Sequence, residues 1–140
     1  MAISAGSTPQ GDVTVRARPW RVVVADDADG LRELICLLLD LEDDFTVVGS
    51  AGDGVGAVEI SVAVRPDLVV LDLAMPVMDG MAALGELRHR LPDTRVVVCT
   101  GYDLASVGTA VMAAGAAAVL QKDGAFTELP GRLRAVLAGD

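Results

Sequence analysis

Three residue types that often carry chemistry are scarce in this chain. It contains two cysteines, one histidine and one lysine among 140 residues. Cys36 and Cys99 stand far apart and form no C-x-x-C pair, so we interpret them as buried free thiols in a reducing cytoplasm. The histidine, His89, lies between two arginines on the polar side of a predicted helix. We interpret it as a solvated surface residue.

Positive charge is also limited. The chain has 11 lysines and arginines against 20 aspartates and glutamates, which gives a formal net charge of −9. A surface that binds nucleic acid needs clustered basic side chains, so this balance argues against nucleic-acid binding by the domain itself. It favours cations, basic partners or solubility.

Long apolar segments of the kind that direct a protein to a membrane are missing as well. The N-terminus has no charged start followed by an apolar run, which argues against a secretory signal. The stretch Leu104–Gln121 has no charged residue, but alanine, glycine, serine and threonine dominate it, and bulky apolar residues are few. We interpret it as a buried helix followed by a buried strand. The expected location is therefore the cytoplasm, without membrane contact.

The composition supports one folded domain. Hydrophobic residues make up 52% of the chain, and 140 residues suit a single core. Residues 1–19 are polar and without periodicity, so we expect a flexible tail followed by a domain over 20–140.

Short apolar runs alternate with helical patterns along this domain. The strands are predicted to end near Ala25, Val48, Leu71, Cys99 and Gln121, and the helices to span about 29–41, 55–64, 79–91, 104–114 and 127–139. Five strand–helix repeats predict an α/β fold, a doubly wound parallel sheet with helices on both faces. In such sheets, ligands bind beyond the carboxyl ends of the strands.

The residues at those strand ends form a chemically coherent group. Asp26 and Asp27 follow the first strand, Asp72 the third, Thr100 the fourth and Lys122 the fifth. Two carboxylates 4 Å apart repel by roughly 4 kcal/mol at an effective dielectric near 20, so a divalent cation is expected. Oxygen ligands without histidine or cysteine favour Mg²⁺, Mn²⁺ or Ca²⁺ over Zn²⁺. A metal, an ammonium and a hydroxyl around a carboxylate nucleophile suit phosphoryl transfer.

Four blocks in the same order and spacing make the chain resemble the receiver domain of two-component response regulators. The blocks are VVVADD at 22–27, RPDLVVLDLAMPVMDG at 65–80, VVVCTG at 96–101 and GAAAVLQKD at 115–123. The resemblance covers about residues 20–138. It implies a flavodoxin-like (βα)5 fold with strand order 2-1-3-4-5.

The resemblance also implies roles for the site residues. Asp72 would accept a phosphoryl group from a sensor histidine kinase. Asp27 would bind Mg²⁺ directly, Asp26 through water, and the main-chain carbonyl of Ala74 would complete the protein ligands. Lys122 would contact Asp72 and then a phosphoryl oxygen, and Thr100 would turn inward to the phosphate. Pro76 and Gly80 would shape the intervening loop.

Three features depart from the family pattern. Val119 stands where the family commonly has an aromatic switch residue, so signalling through that side chain is doubtful. Ala74 and Tyr102 occupy positions that influence water access to the phosphate, and together they suggest slow loss of phosphate. Gly108 and several alanines lower the helix propensity of the fourth helix, as a mobile element would require.

The predicted function is a phosphorylation switch and not a turnover enzyme. Its output would pass through the face of helix 4, strand 5 and helix 5. The rivals are a Mg²⁺-dependent phosphatase, which usually has a second aspartate where this chain has Ala74, and an interaction domain that needs no phosphorylation. The end of the domain resembles receivers joined to a C-terminal helix-turn-helix DNA-binding domain, so the expected output is regulation of transcription, with a single-domain regulator as the alternative. A phosphorylation-dependent homodimer through helices 4 and 5 is a further expectation.

Overall fold

A computed structural model describes residues 18–75, 77–122 and 126–139 of the chain. The strands are β1 Trp20–Ala25, β2 Phe45–Ala51, β3 Leu68–Leu71, β4 Arg95–Thr100 and β5 Ala118–Gln121. The helices are α1 Asp29–Asp40, α2 Gly54–Val64, α3 Gly80–Arg90, α4 Leu104–Ala113 and α5 Leu129–Leu137, with a 3₁₀ turn at Phe126–Glu128 before α5. The predicted alternation of strand and helix is therefore confirmed.

The five strands form one parallel sheet. Their spatial order is β2-β1-β3-β4-β5, as the family resemblance implies. All five strands point the same way, so their carboxyl ends meet along a single edge of the sheet. The side chain of Thr100 and the side chains that follow Ala25, Leu71 and Gln121 are brought together at this edge.

The core lies on both faces of the sheet because successive side chains of a strand point to opposite sides. On one face, Val23, Val69 and Val98 pack with residues of α2, α3 and α4. On the other face, Val22 and Val97 pack with residues of α1 and α5. This double cover explains why β3 is apolar throughout and why β1 and β4 contain the uninterrupted apolar runs Val22–Ala25 and Val96–Cys99.

Aspartates begin three of the helices. The side chains of Asp53, Asp79 and Asp103 accept hydrogen bonds from the main-chain amides of Gly56, Ala82 and Ala105 in the first turns of α2, α3 and α4. Asp29, by contrast, does not cap α1. The N-cap residue is Ala28, which has no side-chain cap hydrogen bond, and Asp29 is the first residue of the helix.

Other expectations differ from the structure in detail. The second strand was predicted to end near Val48, but β2 extends to Ala51 because its far end pairs with β1. Cys99 is buried, but Cys36 is only half-buried, and both are free thiols. No helix in the described part of the chain is both long and apolar enough to cross a membrane. Most of the expected tail, residues 1–17, and Pro76 lie outside the described residues.

Candidate functional site

Three carboxylates meet at the carboxyl edge of the sheet. One oxygen from each of Asp26, Asp27 and Asp72 lies within 4.8 Å of the others. Asp26 and Asp72 are buried, whereas Asp27 is exposed. Their main-chain amides extend the sheet ladder, since Asp26 donates to Ala51 O at 3.0 Å and Asp72 donates to Ala25 O at 2.9 Å. The backbone therefore holds both buried aspartates in register.

The ammonium of Lys122 bridges the two buried carboxylates. Its Nζ lies 2.7 Å from Asp26 Oδ2 and 3.2 Å from Asp72 Oδ1. The other Asp26 oxygen accepts a hydrogen bond from the amide of Ala28 at 2.9 Å, and Asp72 Oδ1 accepts one from the amide of Ala74 at 3.3 Å. One cation thus faces three anions, and the cluster keeps an excess of negative charge.

Burial and charge act in opposite directions on this cluster. Burial raises the pKa of Asp72 and the neighbouring Asp26 carboxylate raises it further, whereas the Lys122 ammonium opposes the rise. Burial alone would lower the pKa of Lys122, but its hydrogen bond to Asp26 and the charge of Asp72 outweigh that effect, so its pKa is raised. Lys122 is therefore held as the charged form beside the aspartates.

Gly80 allows the third helix to begin against the site. A Cβ atom at this position would lie 2.3 Å from the main-chain oxygen of Asp72 and 2.4 Å from Cα of Leu73. The Gly80 amide donates to the carbonyl of Leu73 at 2.8 Å. Glycine is thus needed here because any Cβ atom would collide with the main chain of Asp72 and Leu73.

Thr100 ends β4 beside the lysine. Its carbonyl accepts a hydrogen bond from the Lys122 amide at 2.7 Å, and its hydroxyl oxygen accepts one from the amide of Tyr102 at 2.9 Å. Among the described residues, no direct contact joins the Thr100 hydroxyl to Asp72. The structure therefore joins Asp26, Asp72 and Lys122 directly. It places an oxygen of Asp27 within 4.8 Å of the other two carboxylates and leaves the Thr100 hydroxyl beside this group.

An open cavity of about 370 Å³ gives access to the cluster. Asp27, Asp72, Ala74, Tyr102 and Lys122 are among its lining residues. The Tyr102 side chain is 52% exposed at this opening. The contact described for Ala74 involves its amide, and a role for its carbonyl remains a prediction.

The sequence did not single out one residue that touches the site. Arg32, in the first turns of α1, donates from Nη1 to the main-chain carbonyl of Asp26 at 2.7 Å. Its Nη2 donates to Asp29 Oδ1, also at 2.7 Å. A hydrogen bond to a carbonyl leaves no pattern in the sequence. The spacing of Asp29 and Arg32 on one helical face was the available signal.

The helix that follows Thr100 packs loosely, as its composition predicts. Val111 is the buried residue of α4, and the other residues of that helix are half-buried or exposed. Val119 on β5 is also half-buried, and a Cβ atom added at Gly108 would lie 3.9 Å from it. Gly108 therefore lies against Val119 in the contact between α4 and β5.

Comparison with known proteins identifies the domain. Residues 22–134 match the family model of the response regulator receiver domain. A protein-glutamate methylesterase/protein-glutamine glutaminase of Myxococcus xanthus is 41% identical over 105 residues, which are 74% of this chain and 30% of that protein. The transcriptional regulatory protein LiaR of Bacillus subtilis is 31% identical over 120 residues, which are 86% of this chain and 57% of that protein. The chain thus spans only part of the length of these relatives.

The fold also matches that of a solved receiver domain. The signal receiver domain of a NarL response regulator from Mycobacterium tuberculosis superposes with a TM-score of 0.81 at 35% identity, covering 88% of this chain and 99% of that domain. The acidic cluster, its lysine and the strand order 2-1-3-4-5 thus occur in a chain that belongs to the receiver domain family of two-component response regulators.

Proposed function

We propose that this domain is a signalling switch that is phosphorylated on Asp72. The observation that carries the proposal is the position of the Lys122 ammonium, 3.2 Å from Asp72 Oδ1 and 2.7 Å from Asp26 Oδ2. A buried carboxylate that faces a fixed cation and an open cavity is arranged to act as a nucleophile and to have its product stabilised.

The proposed donor is the phosphohistidine of a sensor histidine kinase. An oxygen of Asp72 forms a bond to phosphorus while the bond from phosphorus to the histidine nitrogen breaks. The electron pair of that bond goes to the imidazole, which takes up a proton from solvent. The product is an aspartyl phosphate, and no oxidation or reduction occurs. Lys122 then pairs with a phosphoryl oxygen.

The donor set fits Mg²⁺. Three carboxylates with oxygens within 4.8 Å of one another, without nitrogen or sulfur ligands, match a hard divalent cation. Asp26, Asp27, Asp72 and the carbonyl of Ala74 would hold it. When bound, Mg²⁺ neutralises charge on the transferring phosphoryl oxygens.

The proposed switch begins at Thr100. Its hydroxyl accepts a hydrogen bond from the Tyr102 amide, and its own proton is available to a phosphoryl oxygen after rotation of the side chain. Such a rotation breaks or strains the contact with Tyr102 and so displaces the segment that leads into α4. The loose packing of α4 lowers the cost of this movement. The movement would then change the face formed by α4, β5 and α5, which carries the output. This route does not need the aromatic switch residue that Val119 replaces.

The role of the whole protein is proposed from its relatives. Regulation of transcription through a DNA-binding domain is the output we expect, as the name of LiaR indicates for that protein. We also propose that the domain extends over residues 20–140 after a tail of residues 1–19. A variant that lacks residues 1–17 should keep the thermal stability of the full chain.

Phosphorylation with acetyl phosphate and MgCl₂ tests the proposed function. The wild type should gain the mass of one phosphoryl group, measured by intact-protein mass spectrometry, and Asp72→Asn should gain none. Asp79→Asn is the matched control, because Asp79 lies outside the acidic cluster and asparagine can still cap α3. Equal labelling of wild type and Asp72→Asn, or none in either, would contradict the proposal.

The phosphatase alternative predicts a different outcome. An enzyme of that class would release many equivalents of product from p-nitrophenyl phosphate with Mg²⁺. Ala74 cannot act as the general acid that such turnover usually needs. We therefore expect no turnover beyond the stoichiometric labelling of Asp72.

A further inference from the structure

We propose that Arg32 is a positioning residue for the cation site. Its guanidinium fixes the peptide group that joins Asp26 to Asp27, and thereby the direction of the Asp27 side chain. The inference rests on the proposed Mg²⁺ site, and it assigns a role to a residue that lies outside the cluster of carboxylates.

The two neighbouring aspartates are held very differently. Both carboxylate oxygens and the main-chain amide of Asp26 form hydrogen bonds, to Ala28, Lys122 and Ala51. The exposed side chain of Asp27 has no hydrogen bond or ion pair with any described residue. The backbone at positions 26 and 27 therefore sets the direction of the Cα–Cβ bond of Asp27, and with it the space that the carboxylate can reach.

Arg32 holds that backbone directly. Its Nη1 donates to the carbonyl oxygen of Asp26 at 2.7 Å. Because the peptide unit is planar, fixing this carbonyl also fixes the amide and the Cα of Asp27. Rotation of the peptide plane, which would turn the Asp27 carboxylate away from Asp26 and Asp72, requires loss of this hydrogen bond.

The start of α1 lacks a capping side chain of its own, and the nearest side-chain contact is the Asp26 carboxylate, which accepts a hydrogen bond from the Ala28 amide. The helices α2, α3 and α4 are each capped by an aspartate, whereas the N-cap of α1 is Ala28 without a side-chain cap. The contact between Asp26 and Ala28 spans Asp27 but does not reach into the helix. The pair formed by Arg32 and Asp29 does, since one guanidinium joins the carbonyl of Asp26 to the first residue of α1.

The geometry favours arginine over lysine. The two terminal nitrogens of the guanidinium make one hydrogen bond each, to Asp26 O and to Asp29 Oδ1, and the side chain is 19% exposed. An ammonium cannot offer two donors at this fixed separation. A Cβ atom at Gly52 would lie 3.0 Å from Nη1, so the guanidinium also packs closely against the loop after β2.

Positioning and simple electrostatics predict opposite effects of removing Arg32. A positive charge near a cation site opposes binding of Mg²⁺, so its removal would strengthen binding if charge alone mattered. If Arg32 positions Asp27, removal of Arg32 weakens Mg²⁺ binding, because the Asp27 carboxylate must then become ordered when the ion binds. The sign of the change in affinity therefore separates the two roles.

Titration of the protein with MgCl₂, followed through the backbone amides of the acidic loop by NMR, tests the proposal. Arg32→Ala should raise the dissociation constant about tenfold, the lower end of the range for groups that orient metal ligands. Arg32→Lys should fall between this variant and wild type. Arg88→Ala is the matched control, because Arg88 also donates to main-chain carbonyls, of Pro92 and Thr94, but far from the acidic cluster. Its dissociation constant should equal that of wild type.

Unchanged or tighter Mg²⁺ binding by Arg32→Ala would overturn the proposal, as would equal weakening by Arg88→Ala. If Arg32→Ala does not fold, Arg32→Lys decides, and binding as tight as wild type overturns it. Absence of saturable Mg²⁺ binding in the wild type would instead contradict the proposed function. The two failures are therefore distinguishable.

Discussion

At the residue scale, the buried hydroxyl of Ser61 lacks a hydrogen-bond partner among the described residues and should lower the stability of the fold. Ser61 lies on α2 with no exposed surface. Burying a hydroxyl without a partner costs free energy, because the group loses its hydrogen bonds to water.

Ser61→Ala should therefore increase the free energy of unfolding by about 1 kcal/mol. Urea denaturation of the wild type and the variant measures this change. Ser106→Ala, at an exposed serine of α4, should leave stability within about 0.5 kcal/mol of wild type. A less stable Ser61→Ala would show that the hydroxyl has a partner.

Side chains at strand ends were predictable from the sequence, whereas their supports were not. A parallel sheet gathers strand ends, so Asp26, Asp72 and Lys122 could be placed together once the strands were recognised. Arg32 could not, because its main contact is with a carbonyl, a group that every residue has. The amide of Tyr102 as a donor to Thr100 escaped prediction for the same reason.

At the scale of elements, Arg134 ties α5 to the loop between α1 and β2. Its Nε and Nη2 donate to the two carboxylate oxygens of Asp44 at 2.7 and 2.8 Å, and Nη2 also donates to Glu42. The guanidinium lies over the ring of Phe45, 5.4 Å from its centroid. The hydrogen bond to Arg134 lowers the pKa of Asp44.

This pair should make stability depend on pH. Because the pKa of Asp44 is lower in the folded state than the unfolded value of about 3.9, its contribution is present above that value and is lost as pH falls through the folded pKa. Arg134→Gln should lower the free energy of unfolding at pH 7 by only about 1 kcal/mol, because solvent screens this partly exposed ion pair.

Thermal unfolding at pH 7 and at pH values below the folded pKa of Asp44 checks this expectation. The difference between wild type and Arg134→Gln should shrink at the lower pH. Arg90→Gln, at an exposed arginine, should show no such change. A difference that stays constant with pH would mean that packing on Phe45, and not the ion pair, supplies the stability.

The order and type of the elements could be predicted, but not how the helices begin. Apolar runs and helical spacing located all five repeats. The aspartate that caps a helix depends on where the chain leaves the preceding strand, so Asp53 proved to be a cap and Asp29 did not. The extension of β2 to Ala51 likewise comes from pairing with β1 and not from local sequence.

At the scale of the whole molecule, repulsion between the carboxylates of the acidic cluster should lower the free energy of unfolding, and a cation bound between them should raise it again. The proposed Mg²⁺ site exists only in the folded arrangement of Asp26, Asp27 and Asp72, so Mg²⁺ bound there would stabilise the folded state. At tenfold excess over its dissociation constant it should add about 1.4 kcal/mol, or about 5 °C in melting temperature.

Thermal melting with MgCl₂ and with NaCl of equal ionic strength measures this effect. Asp27→Asn should lose most of the Mg²⁺-specific increase, and Asp103→Asn, which retains a capping side chain, should keep it. An equal increase with both salts would indicate general screening of the −9 chain instead of a defined site.

The capping aspartates have a consequence for rates of encounter. Because α2, α3 and α4 begin where strands end, Asp53, Asp79 and Asp103 lie along the same edge as Asp26, Asp27 and Asp72. Negative charge concentrated at one end of the molecule attracts cations over a distance and deflects small anions before contact. Higher ionic strength should therefore slow the arrival of cations at this edge and speed that of free anionic phosphodonors.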